Sequence, residues 1–375
     1  MRGVFSTARQ HLEQAVAASP QPNSQPLAAD KWIVASTLQK AIRRGDADLA
    51  ERAALTYLGM QGASVWRRLQ VIAFEDVGAG SADALVMTVA ASLDAPWRDK
   101  TGGNARVAAT IARMLADAPK DRCADYLICA AKDHPSLEEA RAMSGTSSLP
   151  ERLAIVADAS LPLPVRAVAA WYASGVEWGD ENRVGKGDLS GLLATFRALG
   201  VPDALASATG FAATRTREPI CIMVPLIWLA AFEGELPGLV DVPVPPAPQV
   251  SSVPLYALDK HTRLGKQAIH LFARENAPVR TCLEEFVPEH RHREAACLAA
   301  FYADAAPVAR RLDWSQADTL EALGTESDLL LAGAAPEGIA PLLATVRANL
   351  GHLNDIRTRL FTQARPSSPA QANLL

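Results

Sequence analysis

The sequence predicts an all-α protein, and three observations carry that expectation. Alanine and leucine dominate a chain of 375 residues that is 49% hydrophobic but only 6% aromatic. That composition suits helices packed at close range rather than β-sandwiches. Apolar residues recur at helical spacing, as in Leu38, Ile42, Leu49 and Ala53, and no alternating apolar–polar run of useful length marks a strand.

The elements follow in order. Residues 1–18 form a short helix, and the Pro-rich linker SPQPNSQP (19–26) cannot continue it. From Ala28 two helices are separated at Gly45-Asp46, with Asp46 as N-cap of the second. Ser64 caps a third helix, 65–76, with Trp66, Leu69, Ile72 and Ala73 on one face, and Gly78 and Gly80 end it. Further helices are expected at 81–93, 104–116 (capped by Asn104), 122–131, 161–174, 189–199 and 203–209. Residues 177–186 read as a polar, glycine-containing loop. The segment 220–232 is almost wholly apolar and reads as a buried helix. Six prolines between 234 and 254 make an extended connector. Helices at 255–273, 279–286, 289–304, 307–312, 315–323 and 341–364 complete the chain, with frayed residues from 365. The length suggests several units: an N-terminal helix and linker (1–27), a first helical domain (28–145), a second helical segment (146–235), the connector (236–254) and a C-terminal helical segment (255–375).

Bulk charge excludes little. The formal net charge is −4 with a pI near 6.0, so nucleic-acid binding would have to come from a local patch. Five cysteines without a CxxC pair argue against a disulfide framework and for thiols in a reducing cytoplasm. No run of about 18 apolar residues suggests a membrane span, and the first 18 residues lack the apolar core of a secretory signal. A cytoplasmic protein is expected.

Three strings stand in a telling order: LQKAIRRGDADLA (38–50), VWRRLQVIAFEDVG (65–78) and LADAPK (115–120), the last followed by Asp121. Together they resemble the helical region that follows the ATPase core in the RarA/MgsA/Werner-interacting ATPase family. That region carries an RGSD-like step, an RRL…EDIG helix end and an APKS-like turn. The resemblance covers residues 30–133, about a quarter of the chain. It implies a clamp-loader-like, multi-helix C-terminal region followed by further helical domains, and a role in homo-oligomerisation. It does not imply ATP hydrolysis. The chain has no GxxxxGK[ST] phosphate loop, and VGKGD (184–188) and RLGK (263–266) lack its glycine spacing and its hydroxyl for Mg²⁺.

Read from the residues alone, Glu75 and Asp76 stand at a helix C-terminus, where the macrodipole disfavours acids. Such a placement calls for a partner. Arg67, Arg68 or the first N–H groups of the helix beginning near Ser81 are the expected ones, locking a helix–helix corner.

The C-terminal part holds the strongest binding signal. Between 255 and 312 lie four of the seven histidines (261, 270, 290, 292) and nine Lys/Arg against seven acids. On a helical wheel Asp259, Arg263, Lys266, His270 and Arg274 share one stripe, opposite Leu264, Ala268, Leu271 and Phe272. Lys260 adjoins it, and His290-Arg291-His292-Arg293 opens a later helix. The stripe is either a solvated face held by internal pairs such as Asp259–Arg263 or a DNA-contacting patch formed by Lys260, Arg263, Lys266, His270, Arg274, Arg291 and Arg293. Zinc is disfavoured, because His290 and His292 diverge on a helix and no further ligand completes a set. His261 is expected in a packing role. Trp171, Tyr172 and Trp178 are expected in the core, and 214–217 (TRTR) as a charged loop.

The expected function is therefore a non-catalytic DNA-replication or repair accessory that oligomerises and binds DNA, with no cofactor, metal, membrane or catalytic residue. The competing expectation is a scaffold that docks on a replication factor or partner ATPase, marked by an exposed apolar patch around 220–228.

Overall fold

A computed structural model describes residues 3–22, 25–178, 184–234 and 236–364. It is mostly helical, with 73% helix and, among the described residues, two very small two-stranded sheets. The chain forms two compact units from interleaved segments rather than five consecutive regions. The first takes 1–26, 41–243 and 308–328, and the second takes 27–40, 244–307 and 329–375.

In the first unit, Ala47–Gln61 packs along Gly103–Asp117, and Ile220–Ala231 packs against Cys123–Asp133, Leu163–Ser174 and Asp203–Thr216. Ile220–Ala231 is apolar all round and buried from Ile220 to Ile227, as a helix without a polar face must be. It is the buried helix expected, and the exposed patch that would mark the scaffold alternative is not there. Trp171 and Tyr172 are likewise buried, the Trp171 indole N–H donating to the Val176 carbonyl at 3.0 Å. Asp46 caps its helix as expected, accepting the Leu49 N–H at 3.0 Å. Ser64 and Asn104 do not cap theirs. The Ser64 hydroxyl donates to the Gln61 carbonyl, and the Asn104 carbonyl accepts from Arg98. The break expected near residue 145 is a short link between Glu138–Thr146 and Leu149–Ala157, closed by a capping box from Ser148 and Glu151. Half of the 177–186 loop, from 179 to 183, and the residues from 365 lie outside the described residues.

The stretch 307–312 was expected to be helical. Instead Arg310–Asp313 is a strand, paired antiparallel with Gly238–Asp241. Val240 opposite Arg311 and Leu239 opposite Leu312 show why: the partner strand is remote in sequence, so local propensity could not reveal it.

The second unit centres on Arg263–Glu275, which packs on Ala277–Phe286, His292–Ala300 and Leu350–Gln363. Asn276 separates the first two helices. Its side chain accepts the Val279 N–H at 3.1 Å and donates to Asn349 at 3.0 Å. The expected single helix at 341–364 is two, Ile339–Ala348 and Leu350–Gln363. A second core cluster joins Ile33 to Val253, Leu255, Tyr256, Leu258 and Phe361.

Candidate functional site

Two charged constellations stand out, one in each unit. In the first unit, the helix Ser64–Ile72 ends in a π-turn, Ala73–Val77, that carries Glu75 and Asp76. Their partners are not the expected Arg67 and Arg68. Arg67 turns to the Thr216 carbonyl at 2.7 Å and to Glu218 at 3.4 Å, and Arg68 faces Glu218 electrostatically. Arg43 takes the role instead, with Nε 2.6 Å from Asp76 Oδ1 and Nη2 3.0 Å from Glu75 Oε1. Arg122 approaches the same pair at 3.3 and 3.7 Å and also binds Asp125.

The backbone completes the corner. The Asp121 N–H donates to the Asp76 and Val77 carbonyls, both at 3.1 Å. Gly78 has φ +50°, and a Cβ there would stand 2.5 Å from the Asp121 carbonyl oxygen, so a side chain would force the strands of this turn apart. Thus RRGD supplies Arg43, EDVG supplies the acids and the glycine, and the turn after APK supplies Asp121 and Arg122. Burial pushes the Asp125 carboxyl up to about 7 against the pull of Arg122. Burial lowers the Lys120 ammonium to about 8, opposed by Asp76 and Asp117; its amine donates to the Ala116 carbonyl at 2.8 Å and also to that of Ala118. The ion pairs among Arg43, Arg122, Glu75, Asp76 and Asp125 answer one another within the fold, which is the geometry of a lock.

The second constellation lies wholly in the second unit. An open cleft of about 1170 Å³ runs beside Arg263–Glu275. The predicted residues Arg263, Lys266, His270, Arg274 and Arg293 all line it. Lys260 and Arg291 do not. The Lys260 ammonium sits 4.4 Å over the Phe301 ring, and Arg291 is held by the Leu331 carbonyl and by Glu294 at 2.8 Å. Arg280, His292 and Trp32 also line the cleft; Trp32 was invisible as a site residue because it comes from a remote segment.

The stripe starts later than its helical wheel suggested. Residues 255–262 are not α-helical; Thr262 caps the helix by accepting the Gly265 N–H. Asp259 leaves the stripe altogether. It is buried and paired with Lys40 at 2.7 Å, not with Arg263. Burial alone would raise its pKa, but Lys40 and His261 outweigh it and hold the carboxyl below its ordinary range. Gly265 permits this arrangement, since a Cβ there would collide with the Asp259 backbone. His261 is exposed and sets its ring edge-on to Phe301.

Electrostatics favour an anion. Five Lys/Arg line the cleft against Glu284 and Glu289. Among the described residues Arg263, Lys266 and Arg293 enter no ion pair, whereas Arg274 and Arg280 form long surface ion pairs, to Glu275 at 3.7 Å and Glu284 at 3.8 Å, and Arg280 also donates to the Arg274 carbonyl at 2.9 Å. Burial, with Arg293 and Lys266 nearby, lowers the His270 pKa, so its ring is neutral at neutral pH. Its Nε2 lies 3.6 Å from Cys297 Sγ, and burial pushes that thiol up to about 11. A thiol so protonated is a poor nucleophile. Among the described residues no group of three or more His, Cys, Asp or Glu is placed to hold a metal, and no single helix is long and apolar enough to cross a membrane.

No family model matches the chain, and no match was found among curated proteins or solved structures.

Proposed function

We propose that this chain is a non-catalytic, DNA-binding accessory of replication or repair that works as a homo-oligomer. The observation that carries the DNA-binding part is the cleft: five cationic side chains converge on one concave surface, and three of them have no ion-pair partner among the described residues. Cations held apart from carboxylates remain available to phosphates, and each phosphate neutralised releases a counterion. The replication or repair setting and the oligomeric state rest on the resemblance of residues 30–133 to the helical region of the RarA/MgsA family. The exposed apolar patch that would favour the scaffold alternative does not support it, because Ile220–Ile227 is buried.

Fluorescence anisotropy of the full chain with a labelled DNA oligonucleotide tests this reading. Binding is expected at low salt. Combined Arg263→Ala, Lys266→Ala and Arg293→Ala should weaken it more than tenfold, whereas Arg291→Ala, outside the cleft, should leave it nearly unchanged. Absence of binding at low salt, or indifference to the triple replacement, would overturn it.

A further inference from the structure

Trp32 is the largest apolar side chain available to the cleft, and it is 60% exposed. Among the described residues it is the one exposed Trp, Tyr or Phe; the other six tryptophans are buried or half-buried. Leaving a tryptophan in water forgoes the burial that usually places this residue inside. Its placement is nonetheless firm. Asp30 accepts the backbone N–H groups of Trp32 at 2.8 Å and Ile33 at 3.0 Å, which fixes the first turn of Lys31–Arg44. Ile33, the next residue, is anchored in the core cluster of the same unit. The backbone is therefore rigid while the ring faces the cleft, with the Lys31 ammonium 5.1 Å from its centroid.

A rigid aromatic face beside unpaired cations matches the chemistry of single-stranded nucleic acid: cations follow the phosphates, and the ring takes a base. Duplex DNA satisfies the cations but keeps its bases stacked and paired. An acidic peptide satisfies the cations but gains nothing specific from the ring. We propose that the cleft takes single-stranded nucleic acid and that Trp32 is the platform on which one base stacks. This inference rests on the DNA-binding reading of the same cleft and goes beyond it in naming the strand state and the residue that senses it.

The test uses the full chain and four labelled probes of equal length: an oligothymidylate, the same backbone with abasic sites throughout, a duplex, and poly-glutamate. Oligothymidylate should bind more tightly than the abasic strand. Trp32→Ala should lower oligothymidylate affinity about tenfold and leave abasic-strand and duplex affinity unchanged. Trp32→Phe should recover most of the loss. An unchanged thermal midpoint of Trp32→Ala guards against a folding artefact; should that midpoint fall, the Trp32→Phe comparison decides. Equal affinity for oligothymidylate and abasic strand, or a Trp32→Ala variant that loses both alike, overturns the stacking role while the phosphate reading survives. Tighter binding of poly-glutamate than of any nucleic acid, or no nucleic-acid binding at all, overturns both.

Discussion

The corner of the first unit and the cleft of the second are built from the same residue types and do opposite things with them. In the corner, Arg43 and Arg122 are buried against Glu75, Asp76 and Asp125, and each charge is answered by another within the fold. In the cleft, Arg263, Lys266 and Arg293 have no carboxylate partner among the described residues. The contrast separates charge that is paired within the fold from charge that is not. A reciprocally satisfied, desolvated group specifies geometry. An unanswered group at the edge of a cleft is available to a ligand.

The contrast can be broken first at the corner, where the largest effect is expected. Arg43→Ala removes the 2.6 Å ion pair from the buried Asp76 carboxylate, and should destabilise the protein by about 3–5 kcal/mol, read from denaturant unfolding. A loss below about 1 kcal/mol would mean that the corner behaves like a surface pair.

The next effect is in pH dependence. The folded-state pKa of Lys120 is depressed to about 8 from an ordinary value of 10.5. Between those values the unfolded chain binds the proton more strongly, so stability rises as pH climbs from about 8 to about 10.5. The gain approaches about 3 kcal/mol in full. Lys120→Met should remove this rise when stability curves of the two proteins are subtracted; parallel curves would show that Lys120 keeps its ordinary pKa.

Smaller still is the cost of emptying the cleft. Replacing Arg263, Lys266 and Arg293 by alanine should cost at most about 0.5 kcal/mol of stability per site, because no buried partner is stranded, while binding collapses. A large loss of stability would make the cleft structural after all. The smallest effect belongs to Arg67. Its contact with Glu218 is half-exposed, so Arg67→Ala should change stability by only about 0.3 kcal/mol, well below Arg43→Ala.

Much of the helical content was legible in the sequence because it rests on local rules. Asp46 follows Gly45 and precedes an apolar run, and it caps the helix accordingly. The cationic spacing of Arg263, Lys266, His270 and Arg274 does place them along one cleft. What stayed hidden depends on remote segments. Arg43 reaches Asp76 from a different helix, while Arg67, on the same helix as the acids, is drawn away to the Thr216 carbonyl. Asp259 has the right helical phase for the stripe, yet Lys40 draws it inside. Arg310–Asp313 is a strand because Gly238–Asp241 lies beside it. Trp32 belongs to the cleft only through the packing of Ile33 in the second core cluster. In each case a single tertiary partner outweighed periodicity.

The most direct test is the slope of log affinity against log salt, measured for the full chain and its Arg263→Ala, Lys266→Ala, Arg293→Ala variant on one single-stranded oligonucleotide. One phosphate per cleft cation, five in all, predicts a slope of about −3.5, shallower by about 2 in the variant. A slope near zero, or the same slope in both proteins, would contradict the assignment of the cleft to nucleic acid.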